Sequence, residues 1–223
     1  MNPSSLWNIP AERISGDEKQ LMQRFLQAQQ EGKAQGYVPL IFMETDSDML
    51  ESACEDALAD YETLEAFGSA VRAQAERTDV SLYRCDEWPR IQADTDAGLF
   101  DDMSGGEAED GFALEGAKRL FLLKVPVDSP WSVFEKIPFG GFGCCPENGV
   151  HMAFARRWHE QYGAVPAILS DCSVQYLLPA LAQPDDSLNR QLVNYCPSLT
   201  EYIHPEEFAD QFAQVRVWFF FWD

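Results

Sequence analysis

Apolar positions along the chain recur with two periods, one helical and one strand-like, and the switches between them mark the elements. Ser15 and Glu18 stand three apart as a capping box, and Leu21, Met22, Phe25 and Leu26 then keep to one face of a helix up to Gly32. Tyr37 to Met43 (YVPLIFM) is continuously apolar and predicts a buried strand, with Pro39 placing it near a sheet edge or at a strand start. Asp46 or Ser47 can cap the next helix, whose stripe of Leu50, Ala53, Cys54, Ala57, Leu58 and Tyr61 lies largely opposite Glu51, Glu55, Asp56, Asp60 and Glu62. Leu64, Phe67 and Val71 carry the period into a second helical stretch with Gly68 as a weak point, and Val80 to Tyr83 reads as a short strand.

From Ile91 to Ala117 the periodicity stops. The stretch has eight acids, no Lys or Arg, and the pair Gly105 and Gly106 at its middle, which predicts an acidic flexible loop or linker over residues 91–117. Beyond it Leu120 to Val125 (LFLLKV) predicts a central strand, and Pro126, Pro130 and Pro138 punctuate a turn-rich stretch ending in Phe139 to Pro146 (FGGFGCCP). A helix with Val150, Ala153, Phe154, Trp158 and Tyr162 on one face stops at Gly163, and strands follow at Val165 to Leu169 and Val174 to Leu178. Helices opened by Pro184 with Asp185 and by Pro205 precede Val215 to Trp222 (VRVWFFFW), which is too apolar to be left in water.

These elements add up to an α+β protein: a mixed β-sheet flanked by helices, with a buried aromatic C-terminal strand. Residues 1–90 form a helix-strand-helix region and residues 118–223 an α+β domain, and the two either fold apart across the linker or make one domain. Tyr37-Val38-Pro39 and Ala164-Val165-Pro166 each open a strand after a helix, so the chain holds two similar helix-strand units.

With 223 residues, 46% apolar and 13% aromatic, the chain can bury a real core. Its formal net charge of -21 changes the functional picture more. Residues 44–115 hold 21 acids against four Arg, a net of -17, whereas residues 1–43 are balanced and residues 116–223 carry -4. A polyanion repels nucleic acid and anionic membrane surfaces, so neither is an expected partner; a basic protein is. No run approaches the roughly 20 apolar residues that span a bilayer, and the N-terminus lacks the basic and apolar regions of a signal peptide. The expected location is the cytoplasm, where the six cysteines stay reduced.

The loop Phe139 to Pro146 lies just before a helix, so its N–H groups can hold an anion; a tight turn that needs glycine backbone angles is the competing reading. Cys145 stands where a helix dipole lowers a thiol pKa, and with His151 or His159, one and three turns along that helix, and an acid, Asp171 or Asp223, it would make a Cys-His-Asp nucleophile set. A small buried cysteine is the alternative. Cys144, Cys145, His151 and Cys172 lack metal-ligand spacing, and Asp94, Asp96, Asp101 and Asp102 lack an EF-hand pattern, so neither metal nor cofactor is expected. Trp131, Trp158 and the run Trp218 to Trp222 either line a pocket or fill the core.

The Gly140-Gly141-Phe142 turn followed by Cys145-Pro146, the Trp158 to Ala164 stretch (WHEQYGA), Tyr195-Cys196-Pro197 and the terminal Trp218 to Asp223 (WFFFWD) together resemble the bacterial family called domain of unknown function 4253, over residues 131–223. The resemblance implies a compact α+β domain with the aromatic strand inside and brings no activity or ligand. Gly143 and Ser198 depart from its pattern, which commonly has Asn and Asp there. Charge and size point to a non-catalytic acidic protein-binding module, such as an immunity or inhibitor protein that neutralises a basic toxin. Its surface would be Glu51, Glu55, Asp56, Asp60, Asp94, Asp96, Asp101 and Asp102. The alternative is a small enzyme or small-molecule binder using the Cys145 loop and the Trp158 helix.

Overall fold

The computed structural model describes residues 3–46, 49–84, 89–90, 93, 111–201, 203–204 and 207–222. A short helix, α1 (Pro3–Trp7), and strand β1 (Ala11–Ile14) precede α2 (Glu18–Gln35). The capping box of α2 is Asp17 with Gln20, not Ser15 with Glu18. The Gln20 N–H donates to the Asp17 carboxylate at 2.9 Å and the Asp17 N–H to the Gln20 side chain at 3.0 Å. Two orphan donors are thereby satisfied two residues further on, and Glu18 keeps a first-turn position that the helix dipole favours. The helix runs past Gly32 to Gly36, whose left-handed backbone (φ 74°) makes the stop.

Strand β2 (Val38–Glu44) leads to α3 (Met49–Tyr61) and α4 (Leu64–Arg77). Asp46 does not cap α3 but pairs with Lys118, and Ser47 lies outside the described residues. Val80 to Tyr83 is a turn rather than a strand. The Asp79 carboxylate accepts from the Ser81 N–H and hydroxyl, and its carbonyl accepts from the N–H groups of Leu82 and Tyr83. These local bonds satisfy groups that a strand would have had to pair elsewhere.

The remaining elements are β3 (Arg119–Val125), a 3-10 turn at Pro130–Glu135, α5 (Asn148–Tyr162), β4 (Val165–Leu169), β5 (Ser173–Leu177), α6 (Asp186–Tyr195), a second 3-10 turn at Pro197–Glu201, α7 (Phe208–Phe212) and β6 (Val217–Phe221). Asp185 caps α6, its carboxylate accepting from the Leu188 N–H at 2.6 Å. Among the described residues no helix is long and apolar enough to cross a membrane.

All six strands join in one mixed sheet of order β1-β3-β2-β4-β5-β6, so strands from both halves of the chain share it. Among the described residues only β2 and β4 are parallel neighbours, and they stand at its centre. Pro39 is therefore at the start of a central strand, not at an edge. The Lys124 N–H donates toward β1, to Pro10, so its register partner Pro39 faces β4 and has no N–H to give. The parallel ladder accordingly begins two residues later, with Ile41 beside Ile168 and Phe42 beside Leu169. A bulge between Pro166 and Ile168 marks the matching place in β4.

The two helix-strand units noted in the sequence are these neighbours. Helix α2 packs on one face against Ile41, Met43, Leu122 and Ile168, through Leu21, Phe25 and Ala28. Helices α4 to α7 cover the other face, where Leu40, Phe42, Leu123, Leu169, Tyr176, Trp218 and Phe220 point inward. Exchanging β2 with β4, β3 with β5 and β1 with β6 maps the strand order onto itself, the relation of a two-fold axis along the strands. Gly68 is no weak point: α4 continues through it and passes so close to the Pro130–Glu135 turn that an added Cβ would meet the Glu135 carbonyl at 2.6 Å. Arg72 of α4 pairs with the buried Glu135 at 2.5 Å.

Helix α2 does not cover the whole of its face. Over β5 the cover is supplied by the segment after Gly111, where Phe112 meets Phe25 edge-on and the fully buried Gln175 accepts from the Ala113 N–H at 2.9 Å and donates to its carbonyl at 2.7 Å. The side-chain amide takes the place of a strand neighbour. Gln175→Leu leaves both Ala113 groups unpaired and should lower unfolding stability by about 2 kcal/mol in urea titration, with amide exchange rising first at Phe112 to Leu114.

Candidate functional site

The Phe139 to Pro146 loop is folded by its own backbone. The Gly141 N–H donates to the carbonyls of Cys145 and Pro146, at 3.2 and 3.0 Å, and the Cys145 N–H to that of Phe142 at 2.8 Å. Gly140 is required: its φ is +81°, and a Cβ there would lie 2.1 Å from the Pro146 carbonyl oxygen. Asn148, the first residue of α5, clamps the loop by accepting from the Phe139 N–H and donating to the carbonyls of Phe134 and Ile137, each at 2.8 Å.

This loop sets Cys145 beside His151, one turn into α5, with Sγ 3.5 Å from Nε2. Nδ1 of the same ring is 2.7 Å from the Tyr195 hydroxyl, which is 3.0 Å from the Tyr176 hydroxyl. Phe134, Phe139, Tyr195 and Trp222 surround the imidazole. All four members of the relay are buried, so it has no access for a substrate. Burial holds the His151 pKa down at about 3 against the usual 6.5. Burial also pushes the Cys145 thiol well up, helped by the neighbouring Cys196, Cys144 and Cys172. A nucleophile needs the opposite shift. The group is a neutral hydrogen-bonded plug in the core.

The other members of the predicted nucleophile set are elsewhere. His159 lies eight residues beyond His151, about 12 Å further along the helix, where it bonds the Ala164 carbonyl at 3.1 Å and lies against Trp131. Asp171 sits at the end of β4 and ties α3 to the sheet: Thr45 donates its hydroxyl to it, and the Leu50 N–H, in the first turn of α3, points to it at 3.5 Å. Asp223 is outside the described residues. Tyr195 and Tyr176 escaped sequence reasoning because 44 and 25 residues separate them from His151, and only the packing of α6 and β5 against α5 brings them together.

The aromatic run divides by strand alternation. Trp218 and Phe220 pack on Trp158, with ring centroids 5.5 and 5.2 Å away, while Phe219 and Phe221 stack on each other at 5.8 Å on the opposite face. The inward set, with Trp158 and Trp222, fills the core rather than lining a pocket.

Of the predicted acidic surface, Glu51, Glu55, Asp56 and Asp60 are exposed on α3. Asp94, Asp96, Asp101 and Asp102 lie outside the described residues. On either side of that stretch the chain packs on opposite faces of the sheet, Tyr83 against Phe154 and Phe112 against Phe25. The apolar stripe of α3 is only partly covered: Leu50, Cys54 and Ala57 are buried, but Leu58 and Tyr61 are each 41% exposed. Between α3, α4 and the Gly140 loop runs a half-open groove of about 960 Å³ lined by Ala53, Asp56, Ala57, Asp60, Phe67, Gln74, Arg77, Phe142 and Glu147. Gln74 closes its floor, bonding Glu147 and accepting from the Gly149 N–H at 3.1 Å. Among the described residues no group of three or more His, Cys, Asp or Glu is arranged to hold a metal.

Fold and core define an α+β protein in which a buried aromatic C-terminal strand and a Cys-His-Tyr relay lock a glycine loop against the sheet. Residues 121–223 match the family described as Domain of unknown function (DUF4253), in agreement with the resemblance of the C-terminal half. No curated protein and no solved structure matches the chain. Ser198 Oγ lies 3.2 Å from Cys144 Sγ, beside Gly143, so the two positions that depart from the family pattern are on facing segments.

Because folded His151 takes a proton only near pH 3 while the unfolded chain takes one near 6.5, acidification through that window favours unfolding. Its contribution is complete above pH 6.5 and should fall by roughly 1.5–2 kcal/mol between pH 6.5 and 5. The difference in denaturation free energy between wild type and His151→Phe, followed against pH, measures it. Thiol alkylation should label Cys145 more slowly than the partly exposed Cys144 and Cys172 in the folded protein.

Proposed function

We propose that this protein is a non-catalytic module that binds a basic protein partner through the α3 side of the molecule. The observation that carries the reading is the state of α3: four exposed carboxylates, Glu51, Glu55, Asp56 and Asp60, none of which is in an ion pair among the described residues. Asp56 and Asp60 line the groove together with Tyr61, and Glu51 and Glu55 follow one another on the face of α3 that carries the uncovered Leu58. An apolar centre rimmed by unpaired like charge favours a partner with an apolar contact surface and Lys or Arg around it. The net charge of -21 steers such a partner from a distance. An immunity or inhibitor role, in which the module covers the cationic active site of a toxin, is the specific form of this reading. The raised thiol and closed surroundings of Cys145 weigh against the enzyme alternative.

Neutralising the four carboxylates to Gln should weaken binding of an amphipathic Lys/Leu helical peptide at least about tenfold, at roughly 0.3–0.5 kcal/mol per lost charge. Titration calorimetry at low and high salt would read both the loss and a flatter salt dependence. Equal affinity and equal salt slope in the two proteins would remove the reading. An immunity role further requires that the partner captured from the source cell be basic and lose its own activity in the complex.

A further inference from the structure

Pro39 and Pro166 hold open a cavity of about 560 Å³ where the two central strands begin, on the two-fold relation between the helix-strand units. Its floor is the gap left by the missing ladder: Pro39 has no N–H to offer β4, and pairing starts only at Ile41 and Ile168. Parallel strands at the centre of a sheet are otherwise paired along their length and covered on both faces. Two prolines at matching positions forgo that pairing in the free protein.

We propose that this cavity binds a small uncharged ring compound that presents hydrogen-bond donors and acceptors along one edge, as a nucleobase or an aromatic amide does. Val38, Val127 and Pro130, all partly exposed, give apolar walls against which a flat ring packs. Two lining groups are left to read its edge. The Gln29 amide, half-buried, has no hydrogen-bond partner among the described residues and offers donors and an acceptor together. His159 donates from Nδ1 to the Ala164 carbonyl at 3.1 Å, which leaves Nε2 as an acceptor. The two charged lining residues, Lys33 and Asp128, are exposed and of opposite sign, so the cavity has no net charge of its own. The field of the whole chain, at -21, disfavours an anionic ligand. Few convergent polar groups in an apolar cavity of this size are the usual form of a small-molecule site. This site is on the far end of α5 from the Cys145 loop and is independent of the α3 surface.

Saturation-transfer NMR with adenine, cytosine and nicotinamide as probes tests the assignment. At least one should bind wild type with a dissociation constant below about 1 mM, and Gln29→Leu should weaken it about tenfold or more, the value of one lost hydrogen bond in a closed site. Pro39→Val restores an N–H toward β4 and should also abolish binding while leaving the protein at least as stable. Glu65→Gln, exposed on α4 and outside both surfaces, should change nothing. The assignment is overturned if none of the three probes binds wild type, or if the bound probe is held equally by the Gln29→Leu protein.

Discussion

Among the described residues, Ile41 beside Ile168 and Phe42 beside Leu169 are the only register pairs of the parallel ladder, yet they join three strands on one side to three on the other. A parallel pair is stable only when both faces are covered, and that need places α2 on one face and α5 on the other. The prolines at the start of each strand limit the ladder to its C-terminal part. Asp171, two residues beyond β4, then anchors the first turn of the acidic helix α3 to the end where the ladder is complete.

The family segment begins inside β3, at residue 121, and so contributes β4, β5 and β6 but not β1 or β2. Its strands would leave the open side of β4 unpaired, because that side is covered by β2. The fold of the family-matched segment therefore depends here on residues well outside it. The acidic helix α3 and the groove beside it are likewise built across the boundary, with α3 and α4 on one wall and the glycine loop on the other.

The core contains an unusual amount of polar chemistry for a site with no access. Cys145, His151, Tyr195 and Tyr176 satisfy one another, which is why they can be buried, and the aromatic rings around them exclude water. Their shifted pKa values come from that exclusion and describe a rigid joint between loop, helix and sheet. By contrast the carboxylates of α3 make no ion pair and the Gln29 amide no hydrogen bond among the described residues, and they are on the surface or in a cavity, where partners from outside can meet them.

Local sequence determined most of the elements, since period, caps and breakers act within a few residues. The stop at Gly163, the Asp185 cap and the strands β2 to β6 follow from it, whereas the end of α2 lies at Gly36, beyond the Gly32 that the pattern marked. It misplaced the first cap and read Val80 to Tyr83 as a strand, because Asp17 and Asp79 offered local hydrogen bonds that outcompeted the pattern. The acidic face of α3 was also legible, being a matter of composition and helical period. Only tertiary structure decided which histidine meets Cys145, that Asp171 serves a helix rather than a reaction, and that Leu58 and Tyr61 stay uncovered. It also decided that the two similar helix-strand units lie side by side, with their prolines leaving a cavity between them. Most of these features rest on contacts between residues far apart along the chain, such as Thr45 with Asp171 and Ile41 with Ile168, and no periodicity along a chain encodes the distance between two of its segments.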